Sequence, residues 1–365
     1  MKYLLISFLV STFSCFFIIR FFSLSKFCDT CEGVQKFHKG QVPRIGGCAI
    51  YLALWVVAIF LWFYNKPFYS DFLLVLLTAQ PVFWAGLLED ITKKVSPFWR
   101  LMAGFFSGFL AYVLIGAKIH FVNVPGIDYL LTIPIVSLIF TSFAIAGVSH
   151  AFNIIDGFNG LASGVSILVF GAYAYVCFVV QDQFLLYLSL SMLVAIIGFF
   201  IWNYPNGYIF LGDSGAYLLG YVAALLGVLL TARHNQVSPW FPLLLVIYPV
   251  WETLFSIYRR KFLKGTSPGL PDNKHFHTLI FRRVVKLFFK DNRNINQKNG
   301  LTSPFLWFME FICVIPALLF WNHTILLIIF VLLFIVFYVW MYFNIVKFKT
   351  PKIVRLLVLR MGHRR

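Results

Sequence analysis

Two adjacent carboxylates, Glu89 and Asp90, end one of the chain's long apolar stretches and are followed by Lys93 and Lys94. An adjacent acid pair can bind a divalent metal or supply a general base. The pair would also suit a structural role at a membrane boundary, where an apolar stretch gives way to charge. The residue types therefore leave two interpretations of this first polar segment, catalysis and boundary marking.

A second polar segment, residues 153–164, reads Asn-Ile-Ile-Asp-Gly-Phe-Asn-Gly-Leu-Ala-Ser-Gly and contains no Lys or Arg. Asn159 or Ser163 could cap the helix that follows, and a helix amino terminus attracts phosphate through its N–H groups and dipole. Capping and close helix packing would explain the glycines. They would not explain Asn153 and Asp156, which lie three residues apart.

The third polar segment, Gly212-Asp213-Ser214-Gly215, starts another apolar stretch. Asp213 or Ser214 could serve as the amino-terminal cap of a helix and nothing more. Two helix amino termini that face one side, each with a carboxylate, would form a site for magnesium and a diphosphate. We therefore expect the second and third segments to act together.

Histidines and arginines form the fourth polar segment, within a basic loop over residues 259–304. His275 and His277 could bind phosphate when protonated or a metal when neutral. A solvated basic loop near lipid head groups is the alternative interpretation. The candidate cations are Arg282 and Arg283 in this loop, with Lys39 and Arg44 in a loop before the second apolar stretch.

The elements that must position these segments are membrane-spanning helices. Of 365 residues, 61% are apolar and only 12% are charged, too few polar residues to cover a water-soluble globule. Apolar stretches of the length that crosses a bilayer recur along the whole chain. They predict an all-α, polytopic transmembrane bundle of about eleven helices in one domain, 1–365. The predicted spans are 3–22, 46–64, 72–88, 99–118, 129–148, 163–181, 184–203, 214–232, 239–258, 305–321 and 324–345.

The basic residues predict how the chain crosses the membrane. One set of alternating loops holds only Lys2, Lys66, Lys118 and Arg233, whereas the other holds nearly all remaining Lys and Arg, including the tail 346–365. Excess positive charge marks the cytoplasmic side, so we expect the amino terminus outside and the carboxyl terminus inside. All four polar segments then face the cytoplasm. Topology and anionic lipid account for the net charge of +17, so we expect no nucleic-acid partner.

The four segments, in this order and on one side, resemble the polyprenyl-phosphate N-acetylhexosamine-1-phosphate transferases. The shared features are an acidic pair after the third span, Asn153-x-x-Asp156-Gly-x-x-Gly, Gly-Asp213-Ser-Gly and a late histidine motif, with Pro-Arg44-Ile-Gly-Gly before the second span. The resemblance covers most of the chain. It implies transfer of a sugar phosphate from UDP-N-acetylhexosamine to polyprenyl phosphate, with release of UMP, at the cytoplasmic face of the plasma membrane.

The resemblance also implies roles for individual residues. Asn153 and Asp213 would bind Mg²⁺, or Mn²⁺ in its place, and Asp90, with Glu89 beside it, would be nucleophile, base or second metal contact. Asp156 would contact the nucleotide or the lipid phosphate, so we group it with the catalytic residues. The implied substrate-binding residues are Lys39, Arg44, Asn159, His275, His277, Arg282 and Arg283.

Three departures from the family pattern bear on the pathway. Glu89 replaces a usual Asp, Asn159 replaces a frequent Asp, and Thr278 stands where a last histidine often stands. The incomplete histidine motif favours enzymes that begin O-antigen or related glycans over the peptidoglycan-precursor transferase. Residue types do not identify the sugar, and the oligomeric state, a homodimer included, is equally open.

Two other classes of membrane protein share part of this pattern. In a lipid or solute transporter, intramembrane acids would line a pathway, but no internal repeat is visible. In an intramembrane aspartyl protease, Leu211-Gly212-Asp213 would carry a catalytic Asp, but Asp156 and Asp213 lie at predicted span margins. Two acids, Glu252 and Glu310, do lie within predicted spans. Because that placement is costly, we expect a functional or paired role for Glu252, with Arg259 and Arg260 as partners.

Overall fold

The computed structural model describes residues 2–22, 28–29, 41–263, 274–288 and 295–347. These residues are almost entirely helical. The two short strands among them, β1 (Cys28–Asp29) and β2 (Val42–Pro43), pair antiparallel in front of the second helix.

Sixteen helices follow one another in the described parts of the chain. They are α1 (Lys2–Phe22), α2 (Gly46–Phe63), α3 (Tyr69–Thr92), α4 (Pro97–Leu110), α5 (Ile127–Leu131), α6 (Pro134–Ile155), α7 (Leu161–Val179), α8 (Gln183–Asn203), α9 (Gly212–Arg233), α10 (Trp240–Leu245), α11 (Ile247–Tyr258), α12 (Phe276–Ile280), α13 (Lys286–Phe288), α14 (Ile295–Gly300), α15 (Ser303–Leu319) and α16 (Thr324–Val346). π-helical turns continue α4, α11 and α12 over Ala111–Ile115, Arg259–Leu263 and Phe281–Val285.

Ten of the helical segments described are long and apolar enough to cross a membrane, which confirms the predicted all-α polytopic bundle. The predicted span 239–258 differs, because it is divided into α10 and α11. Pro249 has no N–H to donate to the carbonyl of Leu245, four residues earlier, and the chain breaks at Val246. The fifth span also shifts, from the predicted 129–148 to Pro134–Ile155, which puts Asn153 in its last turn.

Helix α9 is the centre of the bundle and is buried along almost its whole length. Glycines let two neighbouring helices approach its first turn closely. A Cβ on Gly47 of α2 would lie 2.3 Å from the backbone nitrogen of Gly215, and one on Gly86 of α3 would lie 2.6 Å from the Cα of Ser214. Small residues at such crossings allow backbones to touch. The ends of α2 and α3 are therefore fixed beside the amino terminus of α9.

Candidate functional site

One large cavity of about 1050 Å³ lies at the end of the bundle where α9 begins. Its wall combines the second, third and fourth polar segments with the residues just before α2. The polar and charged lining residues that concern function are Arg44, Arg100, His150, Asn153, Asp156, Asn159, Asp213, Arg260, His275 and His277. Segments that lie far apart in the sequence thus share one site, as the sequence predicts.

Asp213 lies in the first turn of α9 and is clamped by two arginines. Arg44 donates from Nη2 to Oδ1 at 2.5 Å, and Arg100 donates from Nη1 to Oδ2. Backbone pairing sets this geometry, because the N–H of Gly47 donates to the carbonyl of Leu211 at 2.9 Å, holding the chain around Arg44 against the start of α9. The result is a nearly buried carboxylate with a guanidinium on each oxygen.

Asp90, the candidate nucleophile or base, lies behind the cavity wall and is only 1% exposed. Its carboxylate accepts the backbone N–H groups of Asp213 at 2.8 Å and Ser214 at 2.9 Å, and the Ser214 hydroxyl at 2.8 Å. The cap expected from Asp213 or Ser214 is therefore supplied by α3 instead. Arg44 Nε also lies 3.3 Å from Asp90 Oδ1. In this geometry Asp90 anchors the helix that carries Asp213.

Glu89 turns away from the cavity and is not part of its described lining. Its Oε2 accepts the backbone N–H of Val95 at 2.8 Å, across the turn between α3 and α4. That turn begins at Lys93, whose backbone is left-handed (φ +55°). The two members of the acidic pair thus serve different elements, Glu89 the turn and Asp90 the start of α9.

Asn159 holds the second segment in place although it also reaches the cavity. Its side-chain amide donates to the carbonyl of Pro205 at 3.1 Å. The caps expected from Asn159 or Ser163 are absent, since the residue just before α7 is Gly160 (φ +77°), and the Gly160 N–H donates to Oδ1 of Asn203 at 2.6 Å. A side chain from α8 therefore caps α7.

The two histidines reach the cavity as a stacked pair. Their ring centroids are 5.2 Å apart and the planes differ by 13°. His277 lies against the second segment, because a Cβ on Gly157 would come within 2.9 Å of His277 Nε2 and the Phe158 ring meets His277 edge-on. The histidine motif and the loop that carries Asp156 thus form one packed unit.

Asp156 follows the last residue of α6 and lines the cavity. Loss of hydration raises the pKa of this carboxyl to about 7, and the negative charges of Asp213 and Asp90 act in the same direction, whereas Arg44 lowers it. A carboxyl with such a pKa changes charge near neutral pH. Groups of this kind concentrate at functional sites.

The other predicted cations have different positions. Arg283 donates from Nη1 to the backbone carbonyls of Ile345, at 2.6 Å, and Val346, so it binds the end of α16. Arg282 is not among the described residues that line the cavity, and Lys39 lies outside the described residues. Arg100 and His150, which the sequence does not mark as site residues, line the cavity, and so does Arg260, which the sequence suggests only as a partner of Glu252. Arg100 had one signal, as the single charged residue within α4.

The oxygen donors at the cavity fit a hard divalent cation. Asn153, Asp156 and Asp213 offer amide and carboxylate oxygens, the ligands that Mg²⁺ prefers. A carboxylate oxygen accepts more than one bond, so the two arginines on Asp213 leave room for a metal bond. The described residues hold no group of three or more His, Cys, Asp or Glu side chains that could bind a metal, so a donor set here would include the amide oxygen of Asn153.

Comparison with known proteins gives consistent results. The model of glycosyl transferase family 4 matches residues 72–231. A probable undecaprenyl-phosphate N-acetylglucosaminyl 1-phosphate transferase of Bacillus subtilis is 29% identical over 67% of this chain, which covers 66% of that protein's length. The undecaprenyl-phosphate alpha-N-acetylglucosaminyl 1-phosphate transferase of Thermotoga maritima is 28% identical over 69% of the chain and 72% of its own length. A phospho-N-acetylmuramoyl-pentapeptide-transferase of Streptococcus mutans is 30% identical over 72% and 80%, respectively.

Proposed function

This chain belongs to glycosyl transferase family 4, and from that premise we propose that it transfers N-acetylhexosamine 1-phosphate from a UDP-sugar to polyprenyl phosphate, releasing UMP. The observation that carries the proposal is the shared cavity, in which Asp213, Asp156 and Asn153 meet Arg44 and Arg100 at one end of a transmembrane bundle. A site at the membrane surface suits a reaction between a water-soluble nucleotide sugar and a long lipid. Such a lipid intermediate would start a cell-surface glycan.

The residues of the cavity suit a reaction between two anions. A lipid phosphate oxygen attacks the sugar-linked phosphorus of the UDP-sugar, the bond from that phosphorus to the bridging oxygen breaks, and UMP leaves. Arg44, Arg100 and Arg260 line the cavity and can offset the repulsion between the reactants. The second pKa of a phosphate monoester is about 6, so the attacking oxygen is already largely ionised at neutral pH. A general base is not required, which agrees with an anchoring role for Asp90.

A magnesium ion is part of the proposal, with Mn²⁺ as a substitute. Asn153 and Asp213 would hold it, and when bound it would neutralise charge on the diphosphate. Arg44 and Arg100 each contact one oxygen of Asp213 and so orient this carboxylate in the cavity. The proposed orientation has the cavity on the cytoplasmic side of the plasma membrane, where UDP-sugars are present.

The test is a transfer assay with the purified full chain. Radiolabelled UDP-N-acetylhexosamines, undecaprenyl phosphate and Mg²⁺ are incubated with the protein in detergent, and labelled lipid is separated by extraction. We expect labelled lipid diphosphate sugar and an equal amount of UMP, both abolished by EDTA and restored by added Mg²⁺. Failure to label lipid with any of several UDP-N-acetylhexosamines would refute the proposal and favour a transporter or a protease.

A further inference from the structure

Glu252 is a buried acid that the proposed chemistry does not use. It lies in α11, the second half of the divided span, and is only 1% exposed. The described contacts of Glu252 do not include the expected partners Arg259 and Arg260. Its Oε1 accepts from His275 Nδ1 at 2.9 Å and from the backbone N–H of Phe276 at 3.2 Å, and its Oε2 accepts from the Tyr338 hydroxyl at 2.6 Å.

These contacts determine the protonation of one ring nitrogen of His275. Three donors converge on the two oxygens of Glu252, an arrangement that suits an ionised carboxylate, which accepts but cannot donate. The Nδ1 atom of His275 must then carry a proton. In a neutral ring the lone pair consequently lies on Nε2, and in a charged ring Nε2 carries the second proton.

The same contacts fix the ring position. Glu252 reaches His275 from α11, and Tyr338 holds Glu252 from α16, so two membrane helices define where the imidazole lies. His275 stacks on His277, and His277 packs on Gly157 next to Asp156. A chain of direct contacts therefore connects a carboxylate within the bundle to the loop that carries a titrating acid of the cavity.

We propose that Glu252 is a positioning residue that fixes the Nδ1–H tautomer and the orientation of His275, and through the histidine stack places His277 against the Asp156 loop. Neither the family match nor the names of the relatives assign this residue. The effect on turnover rests on the proposed transferase function, whereas the effect on the tautomer does not. A carboxylate that orients a histidine ligand commonly contributes about 10- to 100-fold to affinity or activity.

The tautomer is tested without any substrate. The full chain is labelled with ¹⁵N-histidine, and the signals of His275 are identified by their loss in His275→Gln. We expect Nδ1 of His275 to be protonated in the wild-type protein at mildly alkaline pH. In Glu252→Gln we expect the signals to move toward those of a mixture of tautomers. Unchanged His275 signals in Glu252→Gln would overturn the proposal, whatever the protein's activity.

Kinetics test whether Glu252 acts through His275. Under the transferase assay we expect Glu252→Gln and His275→Gln each to lower kcat by about 10- to 100-fold. The double variant should be no worse than His275→Gln alone, because residues that act as a unit are non-additive. Multiplied losses in the double variant would instead indicate separate roles and contradict the proposal.

Glu310→Gln is the matched control for the kinetic test. Glu310 is another fully buried glutamate, in α15, and its two carboxylate oxygens have no hydrogen-bond partner among the described residues. We expect this variant to keep kcat within about twofold of the wild-type value. The substitution changes only the surroundings of Glu310 and leaves the cavity unchanged. An equal loss in Glu310→Gln would assign the Glu252 effect to general destabilisation. If the wild-type protein transfers no sugar phosphate, the proposed function fails, and the NMR measurement still decides the role of Glu252.

Discussion

At the scale of single residues, Asp213 is the carboxylate that two arginines hold at the cavity. Its two oxygens bind Arg44 and Arg100, and it is the carboxylate that the proposal assigns to the metal. Asp213→Asn removes the negative charge that both guanidinium groups contact. We expect kcat to fall by about 100-fold or more, measured as labelled lipid in the transfer assay.

Asp182→Asn is the control for this substitution. Asp182 is also buried and also pairs with an arginine, Arg233, but at the opposite end of the bundle, where it caps α8. We expect Asp182→Asn to lower thermal stability while kcat stays within about threefold of wild type. Equal losses of kcat in both variants would show that any broken ion pair disables the protein and would remove the special role of Asp213.

Asp156 leads to a prediction about pH. Its pKa is raised to about 7 in the folded protein, so the folded state binds more protons than the unfolded state between the ordinary carboxyl pKa and that value. The stabilisation is therefore present in acid and is lost as pH rises through about 7. In detergent without divalent metal, we expect the melting temperature to fall by about 2 °C or more from pH 6 to pH 8.

The control variant Asp156→Asn removes this titration but leaves Arg44, Asp90 and Asp213, the other charged groups that face the position. Its melting temperature should change less over the same pH range. Parallel curves for the two proteins would contradict the raised pKa of Asp156 in the folded state.

At the scale of helices, the start of α9 depends on an acceptor from another helix. Asp90 accepts two N–H groups of that first turn, so Asp90→Ala leaves them buried without an acceptor. Asp90→Asn retains one oxygen that can accept. If Asp90 is an anchor, Asp90→Asn should keep at least about tenfold more activity than Asp90→Ala. A nucleophile or base would be lost equally in both variants, so equal background activity would restore the catalytic role.

His277 in α12 packs tightly against Gly157, next to Asp156, and leaves no room for an added side chain there. Gly157→Ala would bring a Cβ within 2.9 Å of His277 Nε2 and so push the ring from its position. We expect kcat/KM to fall by about 10- to 100-fold. Gly171→Ala in α7 is the control, because a Cβ there meets nothing within 4 Å. Normal activity in Gly157→Ala would show that the position of His277 is unimportant.

The sequence predicts the helices well and their connections poorly. Long apolar stretches mark the spans, but the caps of α7 and α9 come from Asn203 and Asp90, far from the helices they cap. A capping acceptor 123 residues away leaves no local pattern. Pro249 is a cause of the break between α10 and α11 that can be read from the sequence. Proline alone does not predict such a break, however, because Pro81 lies inside the continuous helix α3.

At the scale of the whole molecule, the positive-inside rule predicted that the polar segments share one side, and the cavity brings most of them together. It could not predict which side chains pair. Helices that are apolar on every face, such as α9, carry no pattern that fixes their rotation, so the Arg100–Asp213 pair was not foreseeable. The positive-inside rule also explains why Arg100 was missed, since it was taken only as one of the basic residues that mark the cytoplasmic side.

The contacts at the two ends of the bundle set the orientation of the chain relative to the cavity. Tyr3 in α1 packs on Tyr187 near the start of α8, at the end opposite the cavity. Arg283 binds the last turn of α16, which therefore ends on the cavity side. The segment divided into α10 and α11 also crosses the bundle. At its start the indole N–H of Trp240 donates to the carbonyl of Val122, at the end opposite the cavity, and after α11 Arg260 lines the cavity. Eleven crossings within the described residues put the start of α1 and the end of α16 on opposite sides of the bundle.

Cysteine labelling tests the direction of this arrangement. Tyr208 lies in the exposed loop between α8 and α9 at the cavity end, whereas Ser70 lies in the first turn of α3 at the other end. Single cysteines at these positions, in a chain without native cysteines, should react with an impermeant maleimide from opposite sides. Because the basic loops lie with the cavity, we expect Tyr208→Cys to react in inverted vesicles and Ser70→Cys in intact cells. Reaction of Tyr208→Cys in intact cells would place the cavity outside, away from UDP-sugars, and exclude the proposed function.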